Sequence, residues 1–183
     1  VFSHFVGSDS AQFDFFTRQQ IELFEKGSQE LQEAFSHKIL RHICNTAGIE
    51  RFPGAQFDMV RLGIGLYGVS PIDNSIINNV STLKTTILQI RDVPGEDTVG
   101  YSRMGHLTRP SRIAAIPIGY ADGLIRLLSG KIDFAFNDRA VHQVGNICMD
   151  QCMIDVTDIP EAAEDTRVTL VGRDGDDEIT MEE

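Results

Sequence analysis

The sequence predicts two kinds of structure in tandem: an α/β segment over residues 1–78 and an antiparallel β domain over residues 79–183. Three observations carry this. Short apolar runs alternate with helix-patterned runs through the first third of the chain, the mark of a parallel sheet. The polar stretch Ser70-Pro-Ile-Asp-Asn-Ser-Ile-Ile-Asn-Asn-Val-Ser81 then reads as a linker. Beyond it, short strand-like runs are separated by Gly, Pro, Asn and Asp turn signals.

In order, Val1 to Val6 reads as a short apolar strand. Ser8, Asp9 or Ser10 caps a helix to Lys26, with Gly27 as its stop and Phe13, Phe16 and Leu23 facing inward. A second short helix follows Ser28, with Leu31, Ala34 and Phe35 on one side. Ile39 to Cys44 is strand-like, Thr46 to Phe52 is a helical turn, and Gly63 to Tyr67 is a further buried strand. Three such units are too few for an eight-stranded barrel and suit the end of one. After the linker, strands are expected at Leu83 to Val93, Arg112 to Ile118, Lys131 to Phe136, Val141 to Val144, Ile147 to Val156 and Arg167 to Val171. Pro94-Gly95, Asn137-Asp138 and Asp174-Gly175 are the turns between them.

Hydrophobic residues make up 42% of the chain, enough for a core. The net charge of −11 argues against nucleic acid or an anionic membrane as partner, and no apolar run approaches the roughly 20 residues of a membrane span. The start at Val1-Phe2-Ser3-His4, without methionine, looks like the inside of a strand and suggests a fragment. Cys44, Cys148 and Cys152 do not make a disulfide framework. On one extended strand the last two would lie about 13 Å apart, beyond disulfide reach. A metal site would need a second cluster, for which His42 and Cys44 are the only candidates. No metal is expected, and reduced thiols in a cytoplasmic protein are.

Several runs are too costly for plain packing. Val144-Gly-Asn-Ile-Cys-Met-Asp-Gln-Cys-Met153 sets two thiols, two thioethers and an unpaired Asp among apolar residues, where a packing strand would alternate Val, Ile and Thr. Arg61-Leu-Gly-Ile-Gly-Leu-Tyr-Gly68 is a Gly-rich run whose amides could approach a phosphate; alone it equally suits a strand bending past a neighbour. His42-Ile-Cys-Asn-Thr46 ends an expected strand with small polar side chains, so that a hydroxyl could reach the same phosphate. Val99-Gly-Tyr-Ser-Arg103 follows the Pro-Gly turn, where the Tyr could be an ordinary half-buried aromatic, and Ile116-Pro-Ile-Gly-Tyr-Ala-Asp-Gly123 ends in a turn.

In this order the five runs resemble the G-x-I-C-M-D-Q, R-P-G-I-x-x-Y-G, H-x-x-N-S, V-S-Y-G-R and P-I-G-Y-A-D-G motifs of alanine racemases. The resemblance covers essentially all 183 residues. It implies the last strands of a (β/α)8 TIM-like barrel that binds pyridoxal 5'-phosphate, followed by the family's β domain, truncated at its end. It also implies a homodimer with a shared active site, alanine as substrate, and D-alanine made for peptidoglycan.

The resemblance further implies roles. Thr46, Gly63 and Ile64 hold the cofactor phosphate, Thr replacing the family's Ser and keeping its hydroxyl. Arg61 faces the pyridine nitrogen; a guanidinium is only a donor and keeps its charge, so it leaves that nitrogen unprotonated. His4 and His42 flank the ring and this arginine. Tyr101 is the catalytic base on one face of the substrate. A free phenol titrates near about 10, so such a base needs positive charge nearby, for which His4 and Arg61 of the opposite subunit are the expected sources. Met149 supplies a backbone amide to the substrate carboxylate, while Asp150, Tyr120 and Arg126 line the entrance.

The chain departs from the pattern at Leu62, where the family has proline, and at Asn146, where many members have arginine, which should make the entrance less basic. The family's second base is a lysine in a P-Y-K-A-D-x-Y-G run, and no such run occurs here. The 183 residues alone are therefore expected to be inactive, and their full-length parent active. Alternatives are a non-catalytic relative that binds the cofactor or an amino acid, and a racemase acting on serine or on a broader set. A sister decarboxylase pairs its pyridine nitrogen with an acidic residue, which Arg61 opposes.

Overall fold

The structure, a computed structural model, describes residues 1–182. It divides into two compact units, Val1–Val80 and Ser81–Met181.

The N-terminal unit is built on α1 (Asp14–Ala34), which follows a 3-10 turn at Ala11–Phe13. The helix runs straight through Gly27 and Ser28, where the sequence predicts a break. Ser28 is buried and returns its hydroxyl to the Glu25 carbonyl, so it is satisfied inside the helix. An interior glycine costs only about 1 kcal/mol, which packing elsewhere on the helix outweighs. The buried face also differs from expectation. Thr17, Phe24 and Ser28 fall on one stripe and are buried, whereas Phe13, Phe16, Leu23, Leu31, Ala34 and Phe35 are exposed. Helix α2 (Thr46–Arg51) forms where expected, capped by Asn45, whose Oδ1 accepts from the Gly48 N–H at 2.9 Å.

The three expected N-terminal strands do not form ladders. Segments 1–3, 41–44 and 58–61 lie side by side through single bonds: His42 N–H to Val1 O, Ser3 N–H to His42 O, Asp58 N–H to Arg41 O and Arg61 N–H to Cys44 O. One parallel bridge, Phe2 with His42, is all that registers as β structure among them. Residues 63–67 are not a strand. Gly63 (φ −101°, ψ −106°) leaves the extended region and starts a 3-10 turn at Ile64–Tyr67. The core beneath comprises Phe5, Phe24, Ile43, Cys44, Phe52 and Ala55.

The C-terminal unit is antiparallel throughout. Its strands are β1 (Leu83–Thr86), β2 (Gln89–Val93), β3 (Thr98–Val99), β4 (Gly105–His106) and β5 (Ser111–Ile116). They continue with β6 (Asp133–Phe136), β7 (Arg139–Val144), β8 (Cys152–Asp155), β9 (Arg167–Asp174) and β10 (Asp177–Ile179). Strands β3 and β4 form a separate hairpin, and β10 pairs with β9. The main sheet has the order β1-β9-β6-β7-β8-β5-β2. Its two ends are consecutive in sequence, because the expected run Leu83 to Val93 bends at Ile87-Leu88 and serves both edges. Strands β1 and β2 are thus the two edges, and no pairing joins them among the described residues. Asn137 (φ 48°) and Asp138 (φ 62°) make the β6–β7 turn, a tight hairpin that needs positive φ at both positions. Ile87, Ile116, Phe136, Ile154 and Val168 are fully buried inside.

The run expected as one strand from Ile147 to Val156 is strand only at β8. Before it, residues 145–151 leave the sheet and turn, with Cys148 N–H donating to Gln151 O. Cys148 and Cys152 therefore do not share a strand. All three cysteines are free thiols.

Candidate active site

In the N-terminal unit the three side-by-side segments bring Arg61 among groups distant in sequence. Its Nη2 donates to Ser3 O at 2.6 Å and contacts His4 Nδ1 at 2.9 Å. Its Nη1 pairs with His42 Nδ1. The carbonyls of His42 and Ile43 accept further bonds at 3.4 Å. Because a guanidinium only donates, both imidazoles must accept at Nδ1, which makes each the neutral Nε2–H tautomer. Burial, then the Arg61 charge and the chain's α-amino group, hold the His42 imidazole below its ordinary range. Phe2 completes the group: its ring stacks on His42 at 5.5 Å, and the guanidinium lies 5.5 Å from its centroid.

Thr46, the first residue of α2, is buried and points its hydroxyl at the turn that follows Arg61. Oγ1 accepts from Gly63 N–H at 3.1 Å and from Gly65 N–H at 3.2 Å. A side chain on Gly65 would meet Leu62 and the Thr46 methyl at 2.8 Å, so the second glycine is needed for close approach. Ile64 opens the 3-10 turn, and an amide at that position has no partner inside the turn. Three amides and a hydroxyl thus gather at one spot. Burial, offset in part by Arg61, raises the Cys44 thiol; it donates to Ala55 O and is packed in the core.

In the C-terminal unit Tyr101 is 69% exposed, on a tight turn between β3 and β4. Ser102 (φ 57°) and Arg103 (φ 56°) both adopt the left-handed region, at about 1–2 kcal/mol each for residues with a Cβ. The turn is held from several sides. Arg103 N–H donates to Gly100 O and Arg103 Nε to Thr98 Oγ1. Asn146 Nδ2 donates to the Tyr101 carbonyl at 2.9 Å. Gly145 (φ 75°) lets the two loops touch; a Cβ there would sit 2.5 Å from Val99 O.

Of the remaining expected residues, Tyr120, Met149 and Asp150 lie on two segments bonded to each other. Gly119 passes so close to the Cys148 and Met149 carbonyls that any Cβ would collide with backbone. Tyr120 N–H donates to Cys148 O at 3.0 Å and Ala121 N–H to Met149 O at 2.9 Å. Residues 120–122 make a 3-10 turn ended by Gly123, as the Ala-Asp-Gly run predicts. Tyr120 and Met149 are thereby side by side, with both side chains exposed. Asp150 is exposed next to them. Arg126 is exposed in its own turn, Arg126–Leu128, and no side-chain bond joins it to the others among the described residues. Burial and the nearby Cys148 push the Cys152 thiol up to about 12, so it behaves as an inert core group.

Three participants escape a reading of the sequence. The Ser3 carbonyl carries no side-chain signal. Gly65 was visible only as the second glycine of G-I-G. Asn146 stood out as a departure from a motif, with no indication of its contact to Tyr101.

Residues 80–183 match the family model described as alanine racemase, C-terminal domain, and residues 1–71 match alanine racemase, N-terminal domain. The chain belongs to the alanine racemase family. It is 39% identical over 188 residues to an alanine racemase of Prochlorococcus marinus, covering 98% of this chain and 48% of that protein. It is 37% identical to alanine racemase 1 of Clostridium acetobutylicum, covering 100% of this chain and 48% of the relative. The chain spans about half the length of the curated relatives it matches. Among solved structures, the alanine racemase from Bacillus anthracis with bound L-Ala-P superposes with a TM-score of 0.80 at 33% identity, covering 98% of this chain and 47% of that one. The enzyme from Bartonella henselae with covalently bound pyridoxal phosphate gives 0.74 at 30%, covering 94% and 47%.

Proposed function

We propose that the protein to which this chain belongs is a pyridoxal 5'-phosphate-dependent alanine racemase that interconverts L- and D-alanine and supplies D-alanine for peptidoglycan. The observation that carries this reading is the donor set of the N-terminal unit, which fits the cofactor at both ends. The Thr46 hydroxyl accepts from the Gly63 and Gly65 amides, which leaves its own O–H and the amide of Ile64, at the start of the turn, to donate to a phosphate beside Gly63. Arg61, its orientation set by two neutral imidazoles and by carbonyls, offers the pyridine nitrogen a donor that keeps its proton.

When bound, the cofactor supplies an electron sink that acidifies the α-hydrogen of an amino acid. The residues of this chain do the rest. The phenol oxygen of Tyr101 moves the proton at the alanine α-carbon on one face. The Met149 N–H holds the substrate carboxylate; the carbonyls on either side of it, Cys148 O and Met149 O, accept from Tyr120 and Ala121. Tyr120, Asp150 and Arg126 line the entrance, and His4 and His42 fix Arg61. The opposite face needs a lysine from a P-Y-K-A-D-x-Y-G run that these 183 residues do not contain, so the chain alone does not racemise. In this reading residues 1–78 end the barrel, residues 79–183 form the β domain, and two copies share each site. Three free thiols suit the cytoplasm.

In the intact protein, Tyr101→Phe should lower kcat for D-alanine formation by about 10²-fold or more while cofactor absorbance persists. A variant within about twofold of the parent would remove Tyr101 from the mechanism. An intact protein that neither forms D-alanine nor gains cofactor absorbance would overturn the whole reading.

A further inference from the structure

We propose that Asn146 is a positioning residue for Tyr101, setting the place of the phenol through the backbone rather than meeting the substrate. The inference rests on the racemase reading above for what Tyr101 does, and on the structure for how Tyr101 is held. Tyr101 sits on a turn whose own backbone does not favour its conformation: its side chain is 69% exposed, and the two residues after it occupy left-handed backbone. Such a turn keeps one conformation only when its surroundings impose it.

Asn146 is the side chain from outside the turn that meets the backbone of Tyr101 itself, with Nδ2 2.9 Å from the carbonyl. A carbonyl only accepts, so the amide must present its nitrogen there. The asparagine is in turn immobilised. It follows Gly145, which lies against Val99, and it precedes Ile147, which is buried and donates its N–H to Ser129 Oγ at 2.9 Å. A rigid strand-to-turn junction thus carries a short side chain with few rotamers onto the carbonyl that defines where the Tyr101 ring begins. The same junction continues directly into Met149 and Asp150. The base and the proposed carboxylate-binding amide are therefore set by one piece of chain.

The test uses the intact protein with Asn146→Asp, which keeps the size and removes the donor, and Asn146→Ala, which removes the contact; if the alanine variant does not fold, the aspartate variant decides. Amide hydrogen exchange over residues 101–104 should speed up by about tenfold or more in the variants, with no change in cofactor absorbance. For racemisation, kcat should fall about tenfold or more with KM within about threefold. The primary isotope effect with α-deuterated alanine should rise for one enantiomer only, the one Tyr101 deprotonates. Unchanged exchange at residues 101–104 overturns the proposal, as does an isotope effect that rises equally for both enantiomers. If Tyr101→Phe retains full turnover, the assignment of Tyr101 as base fails, and the exchange experiment still decides whether Asn146 holds the turn.

Discussion

The two units differ in what holds them together. In the C-terminal unit an antiparallel sheet buries Ile87, Ile116, Phe136, Ile154 and Val168 completely. In the N-terminal unit Phe2, Val6, Phe15 and Leu23 are 70% exposed or more. Its segments touch through single bonds, and long-range order comes from side chains reaching carbonyls. Arg61 reaches Ser3, Arg51 reaches Ser8, and Gln20 reaches His4. One unit is organised around a sheet and its apolar cluster; the other adds individual polar contacts to a smaller apolar cluster, and those contacts also build its candidate site.

Phe136→Ala should give the largest effect, a loss of about 3–5 kcal/mol in denaturant unfolding of the intact protein, because a fully buried aromatic leaves a cavity in the core. A cost below about 1 kcal/mol would show that the C-terminal unit does not depend on its core in this way. Thr46→Val probes the other unit. It strands the buried Gly65 amide while the exposed Gly63 amide turns to water, at about 1–3 kcal/mol. Hydrogen exchange at residues 63–68 should speed up while the C-terminal strands are unchanged; equal change in both units would erase the distinction. The smallest effect concerns pH. His42 titrates below its ordinary value in the folded chain, so the unfolded chain binds the proton first as pH falls. The stability this contributes is present above the unfolded value of about 6.5 and is lost as pH falls from there through the lower folded value. Protonation also removes the acceptor for Arg61. Protection factors at residues 58–63, which remove the intrinsic pH dependence of exchange, should fall from pH 7.5 to 5.5, and a flat profile would separate His42 from the integrity of the unit.

The comparison also explains what was legible in the sequence. Turns were readable because one or two residues decide them: Asn137-Asp138 accepts positive φ at both positions, and Ala121-Asp-Gly123 closes on a glycine. The Asn45 cap and α2 were readable for the same reason. Helix α1 was misjudged at Gly27-Ser28, since both residues look like stops while Ser28 satisfies its hydroxyl within the helix and faces the core. The Gly63–Tyr67 run has strand composition and becomes a 3-10 turn, because its backbone follows the contacts of Thr46 rather than its own propensity. Residues 145–151 leave the sheet for a similar reason, drawn by backbone bonds to residues 119–121.

Local chemistry in the sequence determined the residue types of the site, the tight turns and the division into an α/β segment and a β domain. Each of these depends on a side chain's own donors, acceptors or allowed φ. Only the tertiary structure decided that Arg61 would bond the Ser3 carbonyl, 58 residues away, and that Asn146 would meet Tyr101 across 45 residues. A hydrogen-bonding group is satisfied by whichever partner the folded backbone brings within reach, and no local pattern encodes that distance.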